Sequence, residues 1–163
     1  MIKTFQWIMA LLFICLASTN SKAAPKESGN DIELINTLFE NYMAKYNHYL
    51  SHSEFNKEPD LYHDNVMIVS NSNGSNTLSS DNLYEQVKVF LDSLKAKGVH
   101  NVQWESTNIQ ILDTNLAVVS NIAVRYLING DIHNKVGATY FVNKYKGEWK
   151  ISAFSVHDYT NTL

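Results

Sequence analysis

The 163 residues carry 16 acidic and 13 basic side chains and one cysteine, with 45% hydrophobic residues and a formal net charge of −3. That length supports one domain around one core. A mildly acidic chain with a single arginine, Arg125, and no basic run carries no mark of a nucleic-acid partner, and none is expected.

The first 23 residues read as a secretory signal peptide. Lys3 supplies the positive start, Phe5 to Ala17 the short apolar stretch, and Ser21-Lys22-Ala23 a cleavage site with small residues at −3 and −1. The apolar run is too short to span a bilayer comfortably. Export to the periplasm or the exterior is therefore expected, with no membrane attachment after cleavage. Removal leaves 140 residues with 11 basic and 16 acidic side chains, a net charge of about −5. It also removes Cys15, so disulfides and thiol catalysis are both excluded from the mature chain.

A polar leader, residues 24–29, is expected to be mobile and to precede a single domain over 30–163. Asn30 with Glu33 three residues on forms a capping box. Ile32, Ile35, Leu38, Phe39, Tyr42, Met43, Tyr46 and Tyr49 then recur at helical spacing for about five turns. The stripe ends in tyrosines, which carry hydroxyls toward whatever the helix covers. Ser51 to Asp60 reads as a loop, and Leu61 to Val69 enters a strand. Ser70 to Ser80 is nearly all Ser, Asn and Gly, which predicts a long, flexible, hairpin-like loop at the mouth of a pocket, where it would serve as a lid. A second helix is expected over Asp81 to Lys97, with Leu83, Val87, Phe90, Leu91 and Leu94 on its apolar face and Gly98 at its C-terminal cap.

Asn101 to Leu112 reads as a strand whose apolar phase slips between Trp104 and Ile109, the mark of a β-bulge. Leu116 to Asp158 then gives three strands joined by turns at Asn129-Gly130 and Lys146-Gly147. A three-residue loop over 129–131 would put Ile122 opposite Ala138 and Ser120 opposite Tyr140. A two-residue second turn would put Tyr140 opposite Ala153 and Val136 opposite His157. In this register Ser120, Tyr126, Tyr140, Ser155, His157 and Trp149 share a pocket-facing side, with Ala138 and Ala153 leaving room above them. Val119, Asn121, Arg125, Phe141, Phe154, Val156 and Asp158 take the other face, where Lys135 would pair with Asp158. The apolar middle of that face predicts a homodimer through Val119, Phe141, Phe154 and Val156.

Helix, strand, helix and a curved antiparallel sheet with long hairpins resemble the nuclear transport factor 2-like superfamily, in its SnoaL-like and ketosteroid-isomerase-like branch. The residues that carry the likeness are Tyr62-His63-Asp64-Asn65-Val66-Met67-Ile68-Val69 and the closing Lys146-Gly147-Glu148-Trp149-Lys150-Ile151. The resemblance spans roughly Asp31 to Asp158. It implies an α+β, cone-shaped barrel in which N-terminal helices and a curved sheet enclose a pocket, often as a homodimer joined through the sheet. It also implies an oxyanion-binding tyrosine at Tyr42. The isomerases' two catalytic aspartates would fall at about Ser70 and within Gly137 to Val142, where this chain has no carboxylate.

His157 is then the acid/base candidate, since an imidazole moves protons near neutral pH; the plainer reading is a structural histidine at a strand end. Tyr42 and Tyr140 are its candidate catalytic companions, and Tyr46, Ser120, Tyr126, Ser155 and Trp149 complete the expected pocket. His48 and His52, four apart, lack the glutamate of a zinc-protease motif, so neither a metal nor another cofactor is expected. Two functions follow. One is an exported binding or interaction module whose aromatic pocket holds a small apolar or aromatic ligand. The alternative is an isomerase, dehydratase or cyclase using His157 with Tyr42 or Tyr140.

Overall fold

A computed structural model describes residues 28–163 apart from Lys57. The signal-peptide expectation lies outside the described residues. Helix α1 runs Ser28–His52, followed by β1 (Tyr62–Ser70), β2 (Gly74–Ser79), α2 (Ser80–Ala96), β3 (Val99–Asp113), β4 (Leu116–Leu127), β5 (Ile132–Tyr145) and β6 (Glu148–His157). The six strands form one curved, unclosed sheet in the order β2-β1-β6-β5-β4-β3. Every neighbouring pair is antiparallel except β1 with β6. No helix among the described residues is long and apolar enough to cross a membrane.

The helices form for the reasons the spacing gives. On α1, Ile35, Leu38, Phe39, Tyr42, Tyr46 and Tyr49 are buried. The helix begins at Ser28, two residues before the expected cap at Asn30, so the end of the expected leader belongs to it. On α2, Leu83, Tyr84, Val87, Leu91 and Leu94 are buried, and the Ser79 hydroxyl caps the N-terminus by accepting from the Asn82 N–H. Gly98, at φ +82°, ends this helix by donating to the Lys95 carbonyl. Both faces pack onto the sheet in one core; each fully buried Leu or Ile there stabilises by about 1.5–3 kcal/mol.

The Ser/Asn-rich stretch, expected as a flexible hairpin-like loop, is more regular than that: it contains a strand, β2, that pairs with β1 from Asn65–Ser79 to Ser70–Gly74. As an edge strand with mostly exposed side chains, β2 needs no apolar alternation, so its sequence gave no strand signal. By contrast, the phase slip in β3 is a bulge at Glu105, where the register shifts between Trp104 and Ser106.

Two further bulges overturn the expected register of the last three strands. The β4–β5 hairpin closes on Leu127 and Asp131, whose loop turns through Gly130 at φ +88°. His133 is then skipped, so Arg125 pairs with Asn134, Val119 with Tyr140 and Asn121 with Ala138. The β5–β6 hairpin begins as expected, Val142 opposite Ile151, but Ser152 is skipped and Tyr140 pairs with Phe154. Each bulge moves one strand by one residue, and a one-residue shift sends every later side chain to the opposite face.

The side that the helices cover therefore carries Val119, Asn121, Ala123 and Arg125 from β4, Val136, Ala138, Tyr140 and Val142 from β5, and Phe154 and Val156 from β6. Val119, Phe154 and Val156, expected on a dimer surface, belong to this side. Phe141 keeps its expected outer position and is 46% exposed. Lys135 pairs with Glu105 on the β3 bulge, not with Asp158, whose carboxylate accepts from Thr160.

Candidate functional site

Between the helices and this side of the sheet lies a cavity of about 240 Å3. Its inner wall is aromatic. Tyr42 and Tyr46, one helical turn apart, stack at 4.2 Å, and the Tyr42 hydroxyl donates to that of Tyr46 at 2.7 Å. Tyr140 meets Phe39 edge-on at 4.9 Å and lies 5.8 Å from Phe154. Trp104 sits 5.5 Å from Tyr42 and is fixed by its indole N–H, which donates to the Phe39 carbonyl at 3.0 Å. The floor is Ala123 and Ala138, whose small side chains leave the space; α2 closes the top with Leu83, Val87, Phe90 and Leu94. Ala153, the second small residue expected beneath the pocket, pairs with Phe141 on the outer face.

The polar groups are few. Burial raises the pKa of the Tyr42 hydroxyl, and those of Tyr46, Tyr62 and Tyr140 lie well above the ordinary tyrosine value for the same first reason. All four stay protonated at neutral pH and act as neutral hydrogen-bonding groups. Arg125 is the one charged residue lining the cavity among the described residues. Its guanidinium lies 5.1 Å from the centre of the Phe90 ring, and its Nη1 donates a long 3.5 Å hydrogen bond to Asn134. Desolvation lowers its pKa, partly offset by the Tyr42, Tyr46 and Tyr140 hydroxyls, yet an arginine stays cationic.

Of the expected site residues, Tyr42, Tyr46 and Tyr140 line the cavity. His157 does not. It stands on the outer face, where Nε2 lies 2.8 Å from the Thr139 hydroxyl and Nδ1 2.9 Å from the Asp158 carbonyl oxygen. Its ring packs over Gly137, where a Cβ would come within 2.7 Å of it. Ser155 pairs with Thr139 on that face, and buried Ser120 accepts from the Leu163 N–H at 3.2 Å. Tyr126 pairs with Ile132 beside the hairpin turn. Trp149 is buried at the other end of the sheet, donating to Asp31 at 3.0 Å. The cause is the same for the misplaced β4 and β6 residues: the bulges at His133 and Ser152.

The residues that the sequence reading missed are Trp104, Arg125, Phe154 and Val156. In β6 a signal was present, since Phe154 and Val156 alternate with Ser155 and His157 as a covered strand should. In β4 both faces are largely apolar, so alternation could not choose between them. Among the described residues no cluster of His, Cys, Asp and Glu could hold a metal ion. The cavity offers shape, aromatic surface, the Gln86 amide and one cation, without a carboxylate or imidazole on its lining among the described residues.

This fold and cavity define a class of protein in which helices roof a curved sheet. The family model described as NTF2-like protein (DUF6841) matches residues 30–159. The chain belongs to this NTF2-like family. No curated protein matches it. Solved structures repeat the fold at low identity. An NTF2-like protein of unknown function from Shewanella oneidensis MR-1 is 16% identical, with a TM-score of 0.56, covering 78% of this chain and 99% of its own. A putative calcium/calmodulin dependent protein kinase II association domain from Xanthomonas campestris is 21% identical, with a TM-score of 0.53, covering 76% and 84%. An NTF2-like protein with a cystatin-like fold from Novosphingobium aromaticivorans is 9% identical, with a TM-score of 0.57, covering 78% and 81%. At these identities the likeness is one of fold.

Proposed function

We propose that this chain is an exported small-molecule-binding module whose ligand occupies the cavity over Ala123 and Ala138. The observation that carries the reading is the cavity's lining: aromatic and aliphatic side chains with one cation, Arg125, one amide, Gln86, and the neutral phenols of Tyr42, Tyr46 and Tyr140. Such a surface suits a small apolar or aromatic molecule. At about 240 Å3 the space lies below the ~300–1,000 Å3 of sites for drug-sized ligands, so the occupant is of one- or two-ring size. The isomerase-type alternative needs an imidazole in the cavity, and His157 is committed to Thr139 and Asp158 on the other face. The tyrosines, with raised pKa values, are poor bases at neutral pH.

A homodimer through the outer face forms part of the same proposal. Val118, Phe141, Ala153 and Met67 stand in one row across β4, β5, β6 and β1, and Phe141 and Met67 are more than 40% exposed. That row is apolar enough to favour a partner.

The binding reading is tested by native mass spectrometry of protein purified from its own host. A bound mass of a few hundred daltons at most is expected in the wild type, lost in Ala138→Phe, whose ring would fill the cavity. An empty wild type that also shows no thermal shift with any small aromatic compound would contradict it.

A further inference from the structure

We propose that the ligand is a small amphipathic acid, its carboxylate held by Arg125 and its apolar body lying against Trp104, Tyr140 and Phe154; this rests on the binding reading above. The first support is charge. Arg125 is the one ionised group on the cavity lining among the described residues, and no acidic residue lines it. The second is its lack of a counter-ion. Lys144 and Lys150 reach carboxylates, at Asp31 and Asp60, and buried Lys45, which makes no ion pair among the described residues, donates to the Asn56 carbonyl instead. Among the described residues Arg125 makes no ion pair, only the long bond to Asn134 and the contact with Phe90. A half-buried cation without a partner is costly, and an anionic ligand would supply the missing charge.

The residue type is the third support. The chain uses lysine at all 12 of its other basic positions and arginine only here. Lysine suffices for solvation and simple pairing. A planar fork that stacks on a ring and offers paired N–H groups to a carboxylate requires arginine. The Phe90 ring centre lies 5.1 Å from the guanidinium carbon and Asn134 takes one N–H at long range, so the other N–H groups of the fork make no hydrogen bond among the described residues.

The acid is distinguished from the ring by a matched pair of probes, 2-naphthoate and 2-naphthamide, titrated calorimetrically into the full chain. In the wild type, naphthoate is expected to bind about tenfold or more tighter than naphthamide. Arg125→Gln should bring the ratio of naphthoate to naphthamide affinity down to about one, and Arg125→Lys should restore part of it. Unaltered far-ultraviolet circular dichroism and melting temperature check that the variants fold. Equal affinity of both probes for the wild type would overturn the acid assignment and leave the binding reading intact. Binding of neither probe would overturn both. The wild-type comparison stands even if a variant does not fold.

Discussion

Val119 stands opposite Tyr140 across β4 and β5, and Phe154 stands on the other side of Tyr140, so one row across three strands faces the helices. This row sets the position of the cavity. Phe154→Ala should destabilise the protein by about 2–4 kcal/mol, somewhat below a fully buried phenylalanine because its ring is only partly buried. Ser155→Ala, on the outer face, should change stability by less than about 0.5 kcal/mol. Urea unfolding checks both. Similar small effects from the two would contradict the register.

Gly137 carries no side chain because His157 occupies the space. A Cβ there would lie 2.7 Å from the ring and 2.8 Å from the Asp158 carbonyl oxygen. Gly137→Ala should cost about 1–3 kcal/mol through forced displacement of the strand end. Adding His157→Ala should recover part of that loss, and only part, because the carbonyl remains. A melting series of the single and double variants measures this coupling; full additivity would show that the two positions do not meet.

The buried carboxylate of Asp31 fastens the start of α1 to the far end of the sheet, accepting from Trp149 and pairing with Lys144 at 2.6 Å. The Lys144 hydrogen bond, and then that of Trp149, hold its pKa below the ordinary 3.8. A depressed folded value stabilises the protein above the unfolded value, and that contribution fades as pH falls through the folded one. Asp31→Asn should therefore cost about 2–3 kcal/mol at pH 7, and the gap from wild type should shrink below about pH 4. Denaturant unfolding at the two ends of this range checks it. A constant gap would rule out the linkage.

Light scattering tests the outer-face dimer. A chain of residues 24–163 is expected to have twice its own mass at micromolar concentration, and Phe141→Glu to reduce it to one. A wild type that stays monomeric at high micromolar concentration would contradict the proposal.

Much of the fold was legible because its signals are local. The stripes of α1 and α2, the Gly98 cap and the bulge in β3 all follow from spacing alone. The strand β2 was not, since an exposed edge strand of Ser, Asn and Thr looks like a loop. The cavity was half legible. The helix supplied Tyr42 and Tyr46 and the even positions of β5 supplied Tyr140, but β4 and β6 depend on whether His133 and Ser152 bulge. A single skipped residue leaves almost no trace in composition, yet it exchanges His157 for Val156 and Tyr126 for Arg125 at the cavity.

The central claim is that a small ligand enters beside Trp104 on the covered face. It is tested most directly by following assigned tryptophan indole N–H resonances while 2-naphthoate is added to the 15N-labelled protein. The Trp104 signal should shift in a saturable manner while that of Trp149, held by Asp31 at the other end of the sheet, stays in place. Saturable movement of Trp149 with Trp104 unmoved would place the ligand elsewhere and contradict the account.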